Sequence, residues 1–286
     1  MAFSLHLCYT EIRKGVTFMT IDRARVRSAF LAYTAGYNAQ DPKVALKLAH
    51  TWRVAALCER IARSLALPAQ DVDLAWLSGV LHDVGRFEQL RRYGTFNDAV
   101  SIDHALCSTQ VLFEQGHIRN YLSRPEDLDD PALETLRTAV LRHSAYRLPD
   151  GLDSRTVLFC HILRDADKVD ILRVNAEVPL EDIYNVSTRA LRQSALTPAV
   201  VQAFYEHHCV LRSLKQTPAD NVAGHASLVY ELVFPESLRI AAGQGWLWKL
   251  LDFSSDNPDT AAALAEMKAH LRRWMDAALQ SCENAL

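Results

Sequence analysis

Apolar residues recur every three or four positions along most of the chain, and the alternation typical of half-buried strands is nearly absent. This periodicity predicts an all-α protein. Helices are expected at about 22–36, 42–66, 71–83, 101–116, 130–143 and from 154 onward. The pairs Asp41-Pro42 and Asp130-Pro131 are typical helix starts, because proline fits the first helical turn. Gly85 is expected to stop the third helix, and the polar stretch 86–100 is predicted to be a loop.

The second half of the chain continues the helical pattern. Further helices are expected at about 182–193, 198–214, 222–250 and 258–281, with Pro218, Pro235 and Gly243–Gly245 as breaks. We predict an N-terminal segment with the first helix over 1–40 and a helical core over 41–175. The helices of 176–286 are predicted to pack on that core as one globular unit, and a small separate lobe is the alternative that composition leaves open.

Composition and charge narrow the class of protein. Of the 286 residues, 49% are hydrophobic and 23% are charged, which is ordinary for a soluble globular chain. The formal net charge of −3 provides no broad basic field, so a nucleic acid is not indicated as the main partner. No apolar run reaches the roughly 18–20 residues that span a bilayer, so no membrane segment is expected.

The cysteines and the N-terminal residues give indications about the cellular location of the protein. The six cysteines are scattered without a CxxC pair, which is typical of small apolar residues in a reducing compartment. The first 18 residues make a poor secretory signal, and Met19 is an alternative start. The expected location is the cytoplasm.

Six polar residues stand out because each lies in an otherwise apolar helical stretch. They are His50, His82, Asp83, His104, His143 and Asp167. A polar group in such a place costs free energy unless a partner compensates it. Imidazoles and carboxylates from separate helices can share that cost by binding one divalent ion. The alternative for each is structural: a lone helical histidine is usually a hydrogen-bonded core or surface residue, and His143 suits a helix C-terminus as a cation.

The order of these residues, H…HD…H…H…D, resembles the HD superfamily of metal-dependent phosphohydrolases. The strings HDVGRFEQLRRYGTFNDAVSIDHA and RDADKVDIL are similar to those of a bacterial subgroup. The resemblance covers about residues 40–175 and implies an HD-domain helical bundle with additional C-terminal helices. It also implies that His50, His82, Asp83 and Asp167 hold one metal ion. His104 and His143 are similar to the extra ligands of the binuclear branch, in which Asp83 joins two ions.

The resemblance also implies an activity. We expect hydrolysis of a phosphate ester or phosphodiester by metal-activated water, with a small phosphorylated substrate and a nucleotide as a candidate. The cofactor is expected to be one or two divalent ions: Fe, Mn, Zn, Co, Ni or Mg. Asp83 and Arg86 are the predicted catalytic residues. The predicted phosphate-binding residues, whose alternative is surface solvation, are Arg86, Lys168, Arg147 and Arg53.

Several alternatives stay open at this point. Glu88, Asp98 and Asp103 are candidates for proton transfer. Diiron oxygenases of the HD fold, which act on a small polyol or phosphonate, have the same ligand order, and a non-catalytic module is a third class. His207, His208 and His225 fall outside the pattern and are interpreted as non-ligands. The apolar stripe 246–251 is interpreted as core packing, and homo-oligomer formation is left open.

Overall fold

A computed structural model describes residues 20–124, 126–127 and 130–283. In these residues the regular secondary structure is helical and no strand occurs, so the predicted all-α class is confirmed. The helices are α1 (Arg23–Thr34), α2 (Pro42–Ser64), α3 (Ala69–Leu81), α4 (Val84–Tyr93), α5 (His104–Thr109), α6 (Pro131–Arg142), α7 (Ser154–Glu177), α8 (Leu180–Tyr184), α9 (Thr188–Gln193), α10 (Pro198–Tyr205), α11 (Asp220–Ala226), α12 (Pro235–Gly243), α13 (Trp246–Leu251) and α14 (Pro258–Glu283). The predictions about a secretory signal and a start at Met19 lie outside the described residues.

The chain forms two compact units, one ending at Asp167 and the other beginning at Lys168. The three-segment organisation predicted above stays a prediction. No helix in the described ranges is long and apolar enough to cross a membrane.

The first unit is built around the pair α2 and α3. Gly79 of α3 lies so close to α2 that a Cβ atom there would be 2.6 Å from the Cα atom of Ala55. A side chain at position 79 would therefore force the two helices apart. Asp41 and Asp130 accept hydrogen bonds from main-chain N–H groups at the starts of α2 and α6, as their Asp-Pro pairs indicate.

The stretch 86–100 corrects the sequence prediction. It is not a loop: α4 runs from Val84 to Tyr93, and a short 3₁₀ turn follows at Asp98–Val100. Phe87 and Leu90 lie three positions apart and are both buried, which gives this polar stretch an apolar face. Gly85 does not stop a helix but lies in the first turn of α4, and the left-handed Gly94 ends α4 instead.

The second unit contains α8 to α14. The predicted helices 182–193, 198–214 and 222–250 are shorter or divided in the structure, with a proline at the start of α10 and of α12. The apolar stripe 246–251 packs as expected only in part. Leu247, Leu250 and Leu251 are buried, whereas Trp246 and Trp248 are half-buried beneath the guanidinium groups of Arg173 and Arg272.

Candidate metal centre

Four helices and one turn bring the six predicted ligands together. His50 lies in α2, His104 begins α5, His143 directly follows α6 and Asp167 lies in α7. His82 and Asp83 occupy the turn between α3 and α4. The four histidines and Asp83 are all buried, and the side chain of Asp167 is 14% exposed.

The first half of the centre contains His50, His82 and Asp167. The Nε2 atom of His50 lies 3.3 Å from Nε2 of His82 and 3.1 Å from Oδ1 of Asp167. Oδ2 of Asp83 faces the same point, 3.6 Å from Nε2 of His50 and 3.4 Å from Nε2 of His82. We call this group the first half-site.

The second half contains His104 and His143. Their Nε2 atoms lie 3.0 Å apart, and each is 3.7 Å from Oδ1 of Asp83. We call this group the second half-site. Asp83 therefore presents one carboxylate oxygen to each half-site, as the sequence prediction of a shared carboxylate requires.

The spacing of these atoms fits divalent metal ions. Bonds of about 2.0–2.2 Å to a transition metal place neighbouring ligand atoms about 3.0–3.6 Å apart. The separations within the two half-sites run from 3.0 to 3.8 Å. Oδ1 of Asp83 is buried and has no hydrogen-bond partner in the described part of the chain, which is the state of a carboxylate oxygen that needs a cation.

Hydrogen bonds at the other ring nitrogen fix three of the imidazoles. Nδ1 of His82 donates to the carbonyl oxygen of Gly79, and Nδ1 of His143 donates to that of Val140, each at 2.7 Å. Nδ1 of His104 donates to Oδ2 of Asp98 at 2.5 Å. Because these oxygens can only accept, the neutral rings carry their proton on Nδ1 and direct the Nε2 lone pair into the centre.

The electrostatics favour the ionised form of the two carboxylates and the neutral form of His104, which are the states that metal binding requires. Burial raises the pKa of Asp83, but the Lys47 ammonium and the imidazole of His82 outweigh it and hold that pKa well below its ordinary value. Burial also raises the pKa of Asp167, but the hydrogen bond from His50 together with the electrostatic interactions with His82, His50 and His143 outweighs it, so the pKa is lowered. Burial and the Arg86 guanidinium lower the pKa of His104 to about 4, which leaves its ring neutral.

Two glycines allow the helices to approach closely enough for this geometry. The contact of Gly79 with α2 brings His82 next to His50. A Cβ atom on Gly85 would lie 2.4 Å from the main-chain nitrogen of Ser108 and 2.7 Å from the carbonyl oxygen of His104. The close contact of α4 with α5 therefore sets the distance between Asp83 and His104.

The structure gives Arg86 several partners. Its Nη1 atom donates to Oε1 of Gln89, to the carbonyl oxygen of Phe96 and to Oδ1 of Asp98. Its Nε atom is buried and lies 3.6 Å from Oδ1 of Asp83, which is too long for a hydrogen bond. Arg86 thus lies beside the centre, and its role as a phosphate clamp stays a prediction.

The other predicted phosphate-binding residues lie in different settings. Lys168 directly follows Asp167 in α7 and is half-buried, and Arg53 is half-buried one turn after His50 in α2. Arg147 is exposed, with its guanidinium over the Tyr146 ring. Their roles stay predictions.

The three candidates for proton transfer differ in their hydrogen-bond partners. Glu88 accepts hydrogen bonds from Tyr37, Arg91 and Arg92. Asp103 is exposed and caps α5 by accepting from the main-chain N–H of Leu106. Asp98 is the one that bonds directly to a predicted ligand, His104, and it therefore orients that ring.

Lys47 was missed by the sequence prediction. Its Nζ atom lies 2.6 Å from Oδ2 of Asp83, and its side chain is 16% exposed. The available signal was its position three residues before His50, because residues three apart share a helix face. His207 and His225, interpreted as non-ligands, contact His270 and Tyr184 in the second unit instead.

The comparison with family models agrees with the geometry. Residues 48–172 match the model of the HD domain, a range that contains all six predicted ligands. No curated protein and no solved structure matches the chain. The predicted subgroup stays a prediction, whereas the predicted HD-superfamily resemblance is confirmed for residues 48–172. Residues 48–172 of this chain are therefore an HD domain.

Proposed function

We propose that this protein hydrolyses a phosphate ester or phosphodiester with two divalent transition-metal ions, one in each half-site. Its HD domain is typical of metal-dependent phosphohydrolases. The observation that carries the two-ion proposal is the second half-site, where Nε2 of His104 and Nε2 of His143 face each other at 3.0 Å. A small organic phosphate is the substrate class, with a nucleotide as a candidate.

The arrangement of ligand atoms in the second half-site supports a bound cation there. In neutral rings, Nδ1 of His104 and of His143 carries the proton that it donates, and neither Nε2 atom then has one to share. Two lone pairs and the unbonded Oδ1 of Asp83 then converge in a buried space, which is repulsive. A divalent ion held by these three atoms would replace the repulsion with attraction.

The donor set supports a borderline transition metal. Imidazole nitrogen and carboxylate oxygen together suit Fe, Mn, Zn, Co or Ni, whereas Mg prefers oxygen ligands and water. Bound ions of this kind lower the pKa of a coordinated water and offset the negative charge of phosphoryl oxygens. Asp83, with one oxygen in each half-site, supports two ions held close together.

Nearby cations support an anionic substrate. Lys47 is partly exposed beside Asp83, where its ammonium group can attract a phosphate. Arg86 keeps a buried Nε–H group without a hydrogen-bond partner in the described residues, close to Oδ1 of Asp83. The hydrogen bonds of Nη1 hold the guanidinium in place, so the Nε–H group could donate to a phosphoryl oxygen. Lys168, Arg147 and Arg53 are the further candidates.

Metal content and product release test the proposal. Protein purified without added metal, and again after reconstitution, is analysed by elemental mass spectrometry beside a His82→Ala, Asp83→Ala variant. The matched control is His207→Ala, which removes a histidine of the second unit. We expect two ions per chain in the wild type and in the control, and none or a small fraction in the double variant.

The loaded protein is then assayed with phosphomonoesters, phosphodiesters and a nucleotide panel, with inorganic phosphate as the measured product where a monoester is cleaved. Metal-dependent hydrolysis that is absent in the double variant supports the proposal. Dioxygen consumption with a polyol or phosphonate, without hydrolysis of any phosphate ester, would favour the oxygenase alternative. Fewer than two ions after reconstitution would overturn the two-ion proposal.

A further inference from the structure

Arg164 is a buried cation close to the second half-site. Only 5% of the residue is exposed, although an arginine is rarely buried without compensating bonds. Its guanidinium donates to main-chain carbonyl oxygens at the end of α6 and in the turn that follows. The acceptors are Arg142 at 3.2 Å, His143 at 3.5 Å, Tyr146 at 3.3 Å, and Ala145.

These carbonyl groups form the turn that carries His143. The last carbonyls of a helix have no partner within the helix, and a cation there also interacts favourably with the helix dipole. The His143 ring is fixed in the same turn, because its Nδ1 atom donates to the carbonyl oxygen of Val140. A shift of the turn therefore moves Nε2 of His143 relative to Asp83 and His104.

The position of Arg164 in α7 connects the two halves of the centre. Arg164 precedes Asp167 by three residues, so the two side chains leave α7 on the same face. Asp167 extends to the first half-site, whereas Arg164 bonds to the turn of the second. The planar guanidinium suits this task because it presents several N–H groups in a fixed fork, which an ammonium group cannot do.

We infer that Arg164 is a positioning residue for the second metal ion: it fixes the turn that places His143, and the affinity for that ion depends on it. The inference rests on the proposed two-ion function. It assigns Arg164 no contact with the ion or the substrate. Loss of a group that orients a metal ligand typically weakens metal affinity by about 10–100-fold.

Cobalt(II) titration of the metal-depleted protein tests the inference, with binding followed by visible absorption and equilibrium dialysis. The variant is Arg164→Lys, which keeps the charge and is therefore the milder change, with Arg164→Met beside it. We expect the dissociation constant of the second ion to rise by about 10–100-fold. The constant of the first ion should stay within about twofold, because its ligands do not depend on the turn.

Arg155→Lys is the matched control. Arg155 lies on the same helix and its guanidinium bonds to Asp71 at 2.6 Å, in a partly buried ion pair. We expect this variant to lower the urea midpoint of unfolding while both cobalt constants stay at wild-type values. If Arg164 had a purely structural role, its variants would likewise lower the urea midpoint and leave both cobalt constants at wild-type values.

Two results overturn the inference alone. One is wild-type binding of both ions by Arg164→Lys and Arg164→Met. The other is equal weakening of both constants in the Arg164 variants, which would indicate general loss of structure. If the wild-type protein itself binds fewer than two cobalt ions, the proposed two-ion centre fails and the inference fails with it.

Discussion

Replacement of Gly85 by alanine tests how the contact between α4 and α5 builds the second half-site. The added Cβ atom would lie 2.4 Å from the main-chain nitrogen of Ser108, 2.7 Å from the carbonyl oxygen of His104 and 2.8 Å from the carbonyl carbon of Cys107. All three are main-chain atoms, so no flexible side chain can move aside. Ordinary contact begins at about 3.4 Å, so α5 must move by about 1 Å relative to α4.

The expected free-energy change combines two opposing effects. Overpacking of a tight contact costs about 1–3 kcal/mol. The better helix propensity of alanine offsets up to about 1 kcal/mol of this cost. We therefore expect Gly85→Ala to lower the free energy of unfolding of the metal-free protein by about 1–2 kcal/mol.

The effect on metal binding should be larger and selective. Metal–ligand distances in a well-formed site vary by only about 0.2 Å, so a shift of about 1 Å removes His104 from productive geometry. We expect the second ion to bind at least about tenfold more weakly. The first ion should be affected less, because His50 and Asp167 lie on α2 and α7.

Urea denaturation and cobalt(II) titration measure the two effects. Gly243→Ala is the control, because a Cβ atom there would meet nothing within 4 Å. We expect that variant to be as stable as the wild type or more stable, with unchanged metal binding. The reasoning is refuted if Gly85→Ala also matches the wild type in both stability and second-ion affinity.

Three further changes probe the centre and the second unit. Asp98→Asn removes the carboxylate that orients His104, and we expect second-ion affinity in a cobalt titration to fall by about 10–100-fold. Lys47→Met removes a cation beside the centre, and we expect the inhibition constant of inorganic phosphate to rise by about tenfold while two ions stay bound. Burial and the Lys215 ammonium lower the pKa of His225 to about 3, so the unfolded chain takes up a proton below about pH 6.5 that the folded chain does not. Stability is then lost as the pH falls, by about 2 kcal/mol between pH 6.5 and 5, and His225→Gln should remove that part of the loss in urea denaturation.

Each of these predictions has a matched control or a contrary result. Asp103→Asn changes a neighbouring carboxylate that caps α5 from an exposed position, so both ions should stay bound. Loss of metal in Lys47→Met, with unchanged phosphate inhibition of any remaining activity, would show that Lys47 supports the ligands rather than the substrate. An equal loss of stability with pH in the wild type and in His225→Gln would contradict the burial of a neutral imidazole.

The sequence alone determined the helical class and the set of candidate ligands. The periodicity of 3.6 residues is a property of neighbouring positions, so it can be read without a partner helix. His82, Asp83 and Asp167 were recognisable because each interrupts an apolar helical stretch. Their residue types also limit the metals that they can bind.

Other features were hidden because they depend on contacts between segments that are distant in the chain. In the sequence, Gly85 suggests the end of a helix. In the structure, Gly85 lies against the main chain of α5, where a side chain would not fit. Arg86 suggests a free phosphate clamp, yet Phe96 and Asp98 hold its Nη1 atom.

Lys47 and Arg164 are ordinary basic residues in the sequence, and no motif marks either of them as part of a site. Their significance comes from Asp83, 36 residues after Lys47, and from the carbonyl groups 18 to 22 residues before Arg164. The sequence determined which side chains can bind metal, because that depends on residue type. Tertiary packing decided how the two oxygens of Asp83 are divided between the half-sites and which cations surround them, because distances between helices follow from how closely their main chains approach.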